Sequence, residues 1–211
     1  MVKTTRDTIS INDCQILAHY KFEAEQYILT LESKEIAEST RPGQFVHLSV
    51  SGMLSMRRPI SVMSVDIENG TFDLLYKIVG EGTRQLAERK IGDMLSVIGP
   101  IGNGFEMTKN KIPLLIGGGV GMPPIVAMAQ ELKGDTYFSP YVIIGSEVPF
   151  PFDTSKSTLN GYHSSKLHTM PLLEEWGIPC GLASLQNYEG VYKGYVTDLA
   201  KDFLESLSSD E

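Results

Sequence analysis

The chain has 211 residues, 42% apolar and 21% charged, with a formal net charge of −8 and a pI near 5.1. That length suits one large domain or two small ones, and the apolar–charged balance argues against a disordered chain. The acidic excess argues against nucleic acid as a partner, and no apolar run is long enough to span a bilayer.

Residues Met1 to Ser10 are polar and lack the apolar region of a signal peptide. Cys14 and Cys180 are far apart and have no metal-ligand spacing, so both are read as buried or half-buried thiols of a cytosolic protein. Cys14, Ile16, Ala18, Tyr20 and Phe22 alternate with more polar residues, which predicts a half-buried strand with those side chains inward. Tyr27–Leu31 and Gln44–Val50 are the next strands, separated by a polar stretch and the turn Arg41-Pro42-Gly43. Glu68-Asn69-Gly70 predicts a hairpin joining Ser61–Asp66 to Phe72–Val79. Glu81-Gly82-Thr83 opens a short helix to about Arg89, and Met94–Ile98 is a strand ended by Gly99-Pro100. Short strands at regular spacing predict an antiparallel β barrel of six strands with one helix.

The pattern changes near Lys109, so the domains are expected at 1–108 and 109–211. Ile112–Ile116, Tyr141–Ile144 and Gly181–Leu185 are apolar strands, with helices at Met122–Leu132, Met170–Trp176 and Val196–Leu207. Strand and helix in alternation predict an α/β domain with a parallel sheet. Glu147–Thr169 has almost no periodicity and is read as disordered at its tip, near Thr154–Ser165, with a cofactor lid as the alternative.

Three stretches carry chemistry. In Met56-Arg57-Arg58-Pro59-Ile60-Ser61, Arg58 offers a planar fork of donors suited to phosphate, and Pro59 biases it toward extended geometry. Ser61 adds a small hydroxyl suited to a ring heteroatom; the alternative is an edge-strand arginine beside a turn. Gly117-Gly118-Gly119-Val120-Gly121 lies between a strand and a helix, where glycines let a pyrophosphate approach the backbone and a helix N-terminus supplies N–H groups. A tight turn that binds nothing is the alternative. Pro123 and Pro124 stand where the usual third glycine would be. In Tyr76-Lys77-Ile78-Val79-Gly80-Glu81-Gly82-Thr83, Gly82 and Thr83 open the barrel helix; Thr83 is a phosphate seat or a simple cap, and Tyr76 packs a ring or fills core. His19, His47, His163 and His168 have no Cys or Asp at catalytic spacing and are read as surface or strand histidines. Ser61 has no nucleophile elbow, which argues against a hydrolase.

Taken in order, these stretches resemble the ferredoxin–NADP reductase superfamily, and within it the electron-transfer subunits of the NAD-linked bacterial dihydroorotate dehydrogenases. The resemblance runs from Pro42-Gly43-Gln44-Phe45-Val46 through Gly194-Tyr195-Val196-Thr197-Asp198 and includes Gly99-Pro100-Ile101-Gly102-Asn103-Gly104-Phe105. It implies an FAD-binding barrel followed by an NAD-binding domain. By position, Arg58, Pro59, Ile60 and Ser61 are then expected to contact FAD, Arg58 at the pyrophosphate and Ser61 near the isoalloxazine as the catalytic residue. Leu75, Tyr76 and Lys77 are expected to line the flavin, Gly82 and Thr83 to meet its pyrophosphate, and Gly117, Gly118, Gly119, Val120 and Gly121 to face the nicotinamide nucleotide. The resemblance further implies hydride from NADH, relay through a [2Fe–2S] cluster, and a cytoplasmic hetero-oligomer with an FMN-containing catalytic subunit in pyrimidine synthesis.

The chain departs from that pattern in its cysteines. The family holds its cluster with four cysteines near the C-terminus, whereas this chain has two, neither near its end. No metal-holding residues are therefore assigned. With three recognisable strands in the α/β domain, the first is expected to have an open edge, and the chain to be a shortened form of a longer protein. A stand-alone NAD(P)H-flavin or ferredoxin reductase is the alternative activity, and a flavin fold kept only for assembly is a third reading. Glu147, just past the second strand, predicts NADH over NADPH, because an acid suits a ribose hydroxyl and repels a 2′-phosphate.

Overall fold

A computed structural model describes residues 9–50, 56–107, 112–159 and 167–207. They fall into two units, Met1–Glu106 and Met107–Glu211.

The first unit is a closed antiparallel barrel. Its strands are β1 (Ser10–Phe22), β2 (Gln26–Glu32), β3 (Phe45–Ser49), β4 (Arg58–Asp66), β5 (Thr71–Lys77) and β6 (Met94–Ile101), in the spatial order β1-β2-β5-β4-β3-β6. Pairing of β6 with β1, from Ser10–Gly99 to Gln15–Met94, closes it. Inside, Leu29, Leu31, Val46, Leu48, Leu74 and Val97 are fully buried, one from every second position of their strands.

Three local readings change. A bulge between Ile16 and Ala18 inserts an extra residue into β1 and reverses its facing. Cys14 and Ile16 point inward as expected, but beyond the bulge Tyr20 is 62% exposed and His19 turns toward the ring of Tyr27. The polar stretch after β2 contains a second helix, α1 (Lys34–Ser39), capped by the Ser33 hydroxyl accepting from the Ile36 N–H, with Ile36 and Ala37 buried. Strand β6 does not stop at Gly99-Pro100 but continues to Ile101, opposite Phe45. The barrel helix expected near Glu81 is α2 (Glu81–Ala87).

The second unit carries a parallel sheet of β7 (Leu114–Gly118), β8 (Tyr141–Gly145), β11 (Cys180–Ser184) and β12 (Tyr192–Lys193), in the order β12-β11-β8-β7. The two-residue β12 has no periodicity to announce it in the sequence. Among the described residues β7 pairs on one side only, with β8. Helices α3 (Met122–Leu132), α4 (Pro171–Glu175) and α5 (Val196–Leu207) complete the unit, with Leu199, Ala200 and Phe203 of α5 packed on Ile143 and Ala183. Part of the segment read as disordered is ordered: β9 (Ser155–Lys156) pairs with β10 (His168–Thr169), and Ser157 and Thr158 bond the Glu174 carboxylate. Residues 160–166, which include the rest of that tip and His163, lie outside the described residues. No helix among the described residues is long and apolar enough to cross a membrane.

Candidate functional site

The barrel brings two of the three chemical stretches together. Arg58 begins β4, and its Nη1 donates to the carbonyl of Met56 at 2.7 Å. This folds the guanidinium over the first turn of α2. A Cβ on Gly82 would stand 1.8 Å from Arg58 Nε and 2.6 Å from Nη2, so glycine alone leaves room for the fork. Arg58 thus lies beside the first turn of α2, where the N–H groups of a helix have no partner within the helix. A cation beside main-chain donors is an arrangement that can hold an anion.

The Thr83 hydroxyl is already engaged. It accepts from the N–H groups of Val79 at 2.9 Å and Gly80 at 3.2 Å, and donates to the Gly80 carbonyl at 3.1 Å. It therefore shapes the turn before α2, and its main chain is what remains for a ligand.

Beside Arg58 the barrel wall is split. The β4–β5 ladder runs from Val62–Leu74 to Asp66–Thr71. Before Val62, the strands part. Arg58–Ser61 pairs with β3 and Leu75–Lys77 pairs with β2, but no register pair joins these two runs among the described residues. Each run thus keeps one backbone edge that no ladder satisfies, and such groups need partners. Ile60 and Val62 belong to the core, so Pro59 and Ser61 lie on the outer face of β4, where Ser61 is half-buried. On β5, Leu74 and Tyr76 face the core, which puts Leu75 and Lys77 on the outer face. The side chains of Ile60 and Tyr76 thus fill the interior.

The turn preceding β3 supports the same end of the barrel. Gln44, 2% exposed, donates to the Gly102 carbonyl at 2.8 Å and accepts from the Arg41 N–H at 2.7 Å, while the Phe105 N–H donates to Pro42. The Pro42–Val46 and Gly99–Phe105 motifs are therefore one packed assembly.

In the second unit the glycine stretch divides into two roles. Gly117 and Gly118 are the last residues of β7, not loop. A Cβ on Gly117 would lie 2.6 Å from Ile125 of α3, so its absence lets the helix pack on the sheet. Gly119 has φ +53°, the left-handed region that favours glycine, and turns the chain into α3 through Gly121. Nothing lies within 4 Å of a Cβ placed on Gly119 or Gly121, and Val120 is 57% exposed, so this turn is open to a ligand. Pro123 stands in the first turn of α3, where a missing N–H matters least.

His19 is a strand histidine, as expected, but one whose side chain has two hydrogen-bond partners. Its Nε2 lies 2.8 Å from the Tyr76 hydroxyl and its Nδ1 3.0 Å from the Arg89 carbonyl. A bulge that flips strand facing leaves little trace in one sequence, so period-2 reasoning placed its neighbour Tyr20 inside instead.

Comparison with known proteins accords with this geometry. The oxidoreductase FAD-binding domain family matches residues 16–105, which run from within β1 to just past β6 and include Arg58 and Gly82. The dihydroorotate dehydrogenase B (NAD(+)) electron transfer subunits of Bacillus cereus (strain G9842) and Bacillus anthracis (strain A0248) are each 37% identical over 188 residues, covering 79% of this chain and 73% of theirs. This chain belongs to the dihydroorotate dehydrogenase B electron-transfer subunit family. It is an oxidoreductase of ferredoxin reductase-like fold. An NADH-dependent reduced ferredoxin-NADP oxidoreductase superposes with a TM-score of 0.72 at 23% identity, over 97% of this chain and 65% of that one. The ferredoxin reductase of carbazole 1,9a-dioxygenase does so with 0.70 at 18%, over 93% and 59%. These two likenesses speak for the fold.

The barrel residues fit FAD: a cation on a glycine cradle can meet a pyrophosphate, and an unpaired strand edge can meet a polar ring. The 211 residues do not hold the four cysteines that a thiolate-held iron–sulfur cluster takes. Cys14 and Cys180 are the only cysteines of the 211 residues, both are buried, and no metal-holding group of His, Cys, Asp or Glu occurs among the described residues.

Proposed function

We propose that this chain is a cytoplasmic flavoprotein that takes hydride from NADH through FAD, or returns it to NAD, and exchanges electrons with a dihydroorotate dehydrogenase catalytic subunit in pyrimidine synthesis. The observation that carries this reading is the seating of Arg58 on Gly82 beside the split between β4 and β5, within a chain of that family. Unit Met1–Glu106 is the FAD-binding part and unit Met107–Glu211 the NAD-binding part.

FAD, when bound, supplies the chemistry that a hydride donor and a one-electron acceptor need between them. The chain's own residues do the rest. Arg58 and the main chain of Gly82 and Thr83 hold the pyrophosphate. Ser61 offers its hydroxyl to the edge of the ring from the outer face of β4, and the unpaired backbone of Pro59–Ser61 and Leu75–Lys77 hydrogen-bonds the ring's heteroatoms. The open turn Gly119–Val120–Gly121 receives the nucleotide, and the close contact at Gly117 fixes α3 behind it.

The absorption spectrum of the protein incubated with FAD, before and after NADH, tests the reading. Flavin bands that survive gel filtration and bleach with NADH are expected. Coupling to orotate reduction should then require added catalytic subunit. Protein that retains no flavin overturns the reading, and rapid turnover of a small acceptor unaffected by the catalytic subunit favours a stand-alone reductase.

A further inference from the structure

The hydrogen bonds of His19 link the two halves of the candidate flavin site. A carbonyl only accepts, so the contact with Arg89 requires the proton on His19 Nδ1; Nε2 of the neutral ring then accepts from the Tyr76 O–H. Tyr76 is 3% exposed, and a hydroxyl so enclosed needs its partner. Burial, with the neighbouring Tyr27 adding to it, holds the Tyr76 phenol well above its ordinary pKa, so it stays a donor. Tyr27 stacks on Tyr76 with centroids 5.2 Å apart and planes 12° from parallel, and the His19 ring is 5.3 Å from Tyr27. One residue from each of β1, β2 and β5 is thereby fixed against the others.

At the other end of the link, Arg89 lies two residues beyond α2, its N–H bonded to the Leu86 carbonyl at 3.1 Å. Its guanidinium donates to the Val50 carbonyl just past β3. The trailing end of α2 is thus tied to β1 and β5 through His19, and to the end of β3 through its own side chain. The leading end of the same seven-residue helix carries Gly82 beneath Arg58.

We propose that His19 is a positioning residue for flavin binding, fixing the spacing between β5, which borders the ring subsite, and α2, which with Arg58 forms the pyrophosphate subsite. The inference rests on the FAD reading above. FAD spans both subsites, so its affinity includes a linkage contribution that exists only when they stand at the right separation. Fragments that occupy one subsite each, riboflavin and ADP, do not feel that separation.

The test titrates wild type, His19→Phe and His19→Gln with FAD, riboflavin and ADP, following flavin fluorescence and displacement, alongside thermal melting. Glutamine keeps one donor and one acceptor; phenylalanine keeps neither. His19→Phe should weaken FAD about tenfold while riboflavin and ADP stay within about twofold of wild type, the mark of lost linkage rather than a lost subsite. His19→Gln should recover most of the FAD affinity. Where the fragments bind too weakly to saturate, FAD affinity in His19→Gln against His19→Phe at equal melting temperature decides. Unchanged FAD affinity in His19→Phe overturns the inference, as does a parallel loss of all three ligands or a His19→Gln variant no better than His19→Phe. Wild-type protein that takes up no FAD overturns the flavin reading and the inference with it; wild-type binding with an unaltered His19→Phe overturns the inference alone.

Discussion

Arg58 and Gly82 occupy one volume between them: the guanidinium fills the space that any side chain at Gly82 would take, with Nε 1.8 Å from the missing Cβ. Gly82→Ala therefore displaces the fork. The displaced atoms are the far end of a flexible side chain, and alanine favours a helix over glycine by up to about 1 kcal/mol. The variant should melt at or above the wild-type temperature yet bind FAD more weakly. Calorimetry paired with FAD titration checks this, and weaker folding with intact FAD affinity would contradict it.

Arg58→Ala removes the cation itself. A charge-assisted phosphate contact contributes roughly 1.5–3 kcal/mol, so FAD affinity should fall by about 10- to 150-fold. Flavin retained after dialysis measures it. Adding Gly82→Ala to Arg58→Ala should change little more, because residues in contact are not additive.

Glu147 is exposed just past β8, after the buried Ser146. We expect NADH to reduce the flavin more efficiently than NADPH, by about tenfold for a difference near 1.4 kcal/mol, and Glu147→Arg to narrow the gap. Stopped-flow bleaching with each nucleotide reads the ratio directly.

Both thiols should be inert. Burial pushes Cys14 up to about 12, with a Ser33 hydrogen bond opposing and the Asp13 charge adding. Burial does the same for Cys180, up to about 12, against hydrogen bonds from the Met170 backbone and the Thr169 side chain. The reactive thiolate is then only about 10⁻⁴ of either thiol at pH 8. A disulfide reagent should titrate no thiol before unfolding and both in denaturant.

Glu174 anchors the segment after β9. Burial would raise its pKa, but hydrogen bonds from the Thr158 side chain and backbone and from Ser157 outweigh it, leaving the carboxyl below 4.5. A lowered folded-state pKa contributes stability that is present above the unfolded value and lost as pH falls through the folded one. Protection of the Thr158 N–H, its exchange measured against the intrinsic rate at each pH, should therefore fall as pH drops through the folded-state value of Glu174. Glu174→Gln should remove that dependence.

How far the sequence reaches is clearest at single residues. The period-2 strands, the Glu68-Asn69-Gly70 hairpin and the helices at Met122–Leu132 and Val196–Leu207 were legible because burial and turn chemistry repeat locally. Helix α1 was hidden by its polar surface, since only Ile36 and Ala37 face the core. Gly117 and Gly118 looked like loop because glycine has no periodicity, yet β8 draws both into a strand.

By itself the sequence determined the two-part chain, the residue types of the candidate phosphate clamp and of the glycine turn, and a count of two cysteines in 211 residues. Those are matters of composition and short spacing. Only the tertiary structure decided that Arg58 lies on Gly82, that β4 and β5 part at Ser61, and that His19 rather than Tyr20 enters the barrel. Each depends on strand register across many intervening residues, and a single bulge changes which side of a strand meets the core.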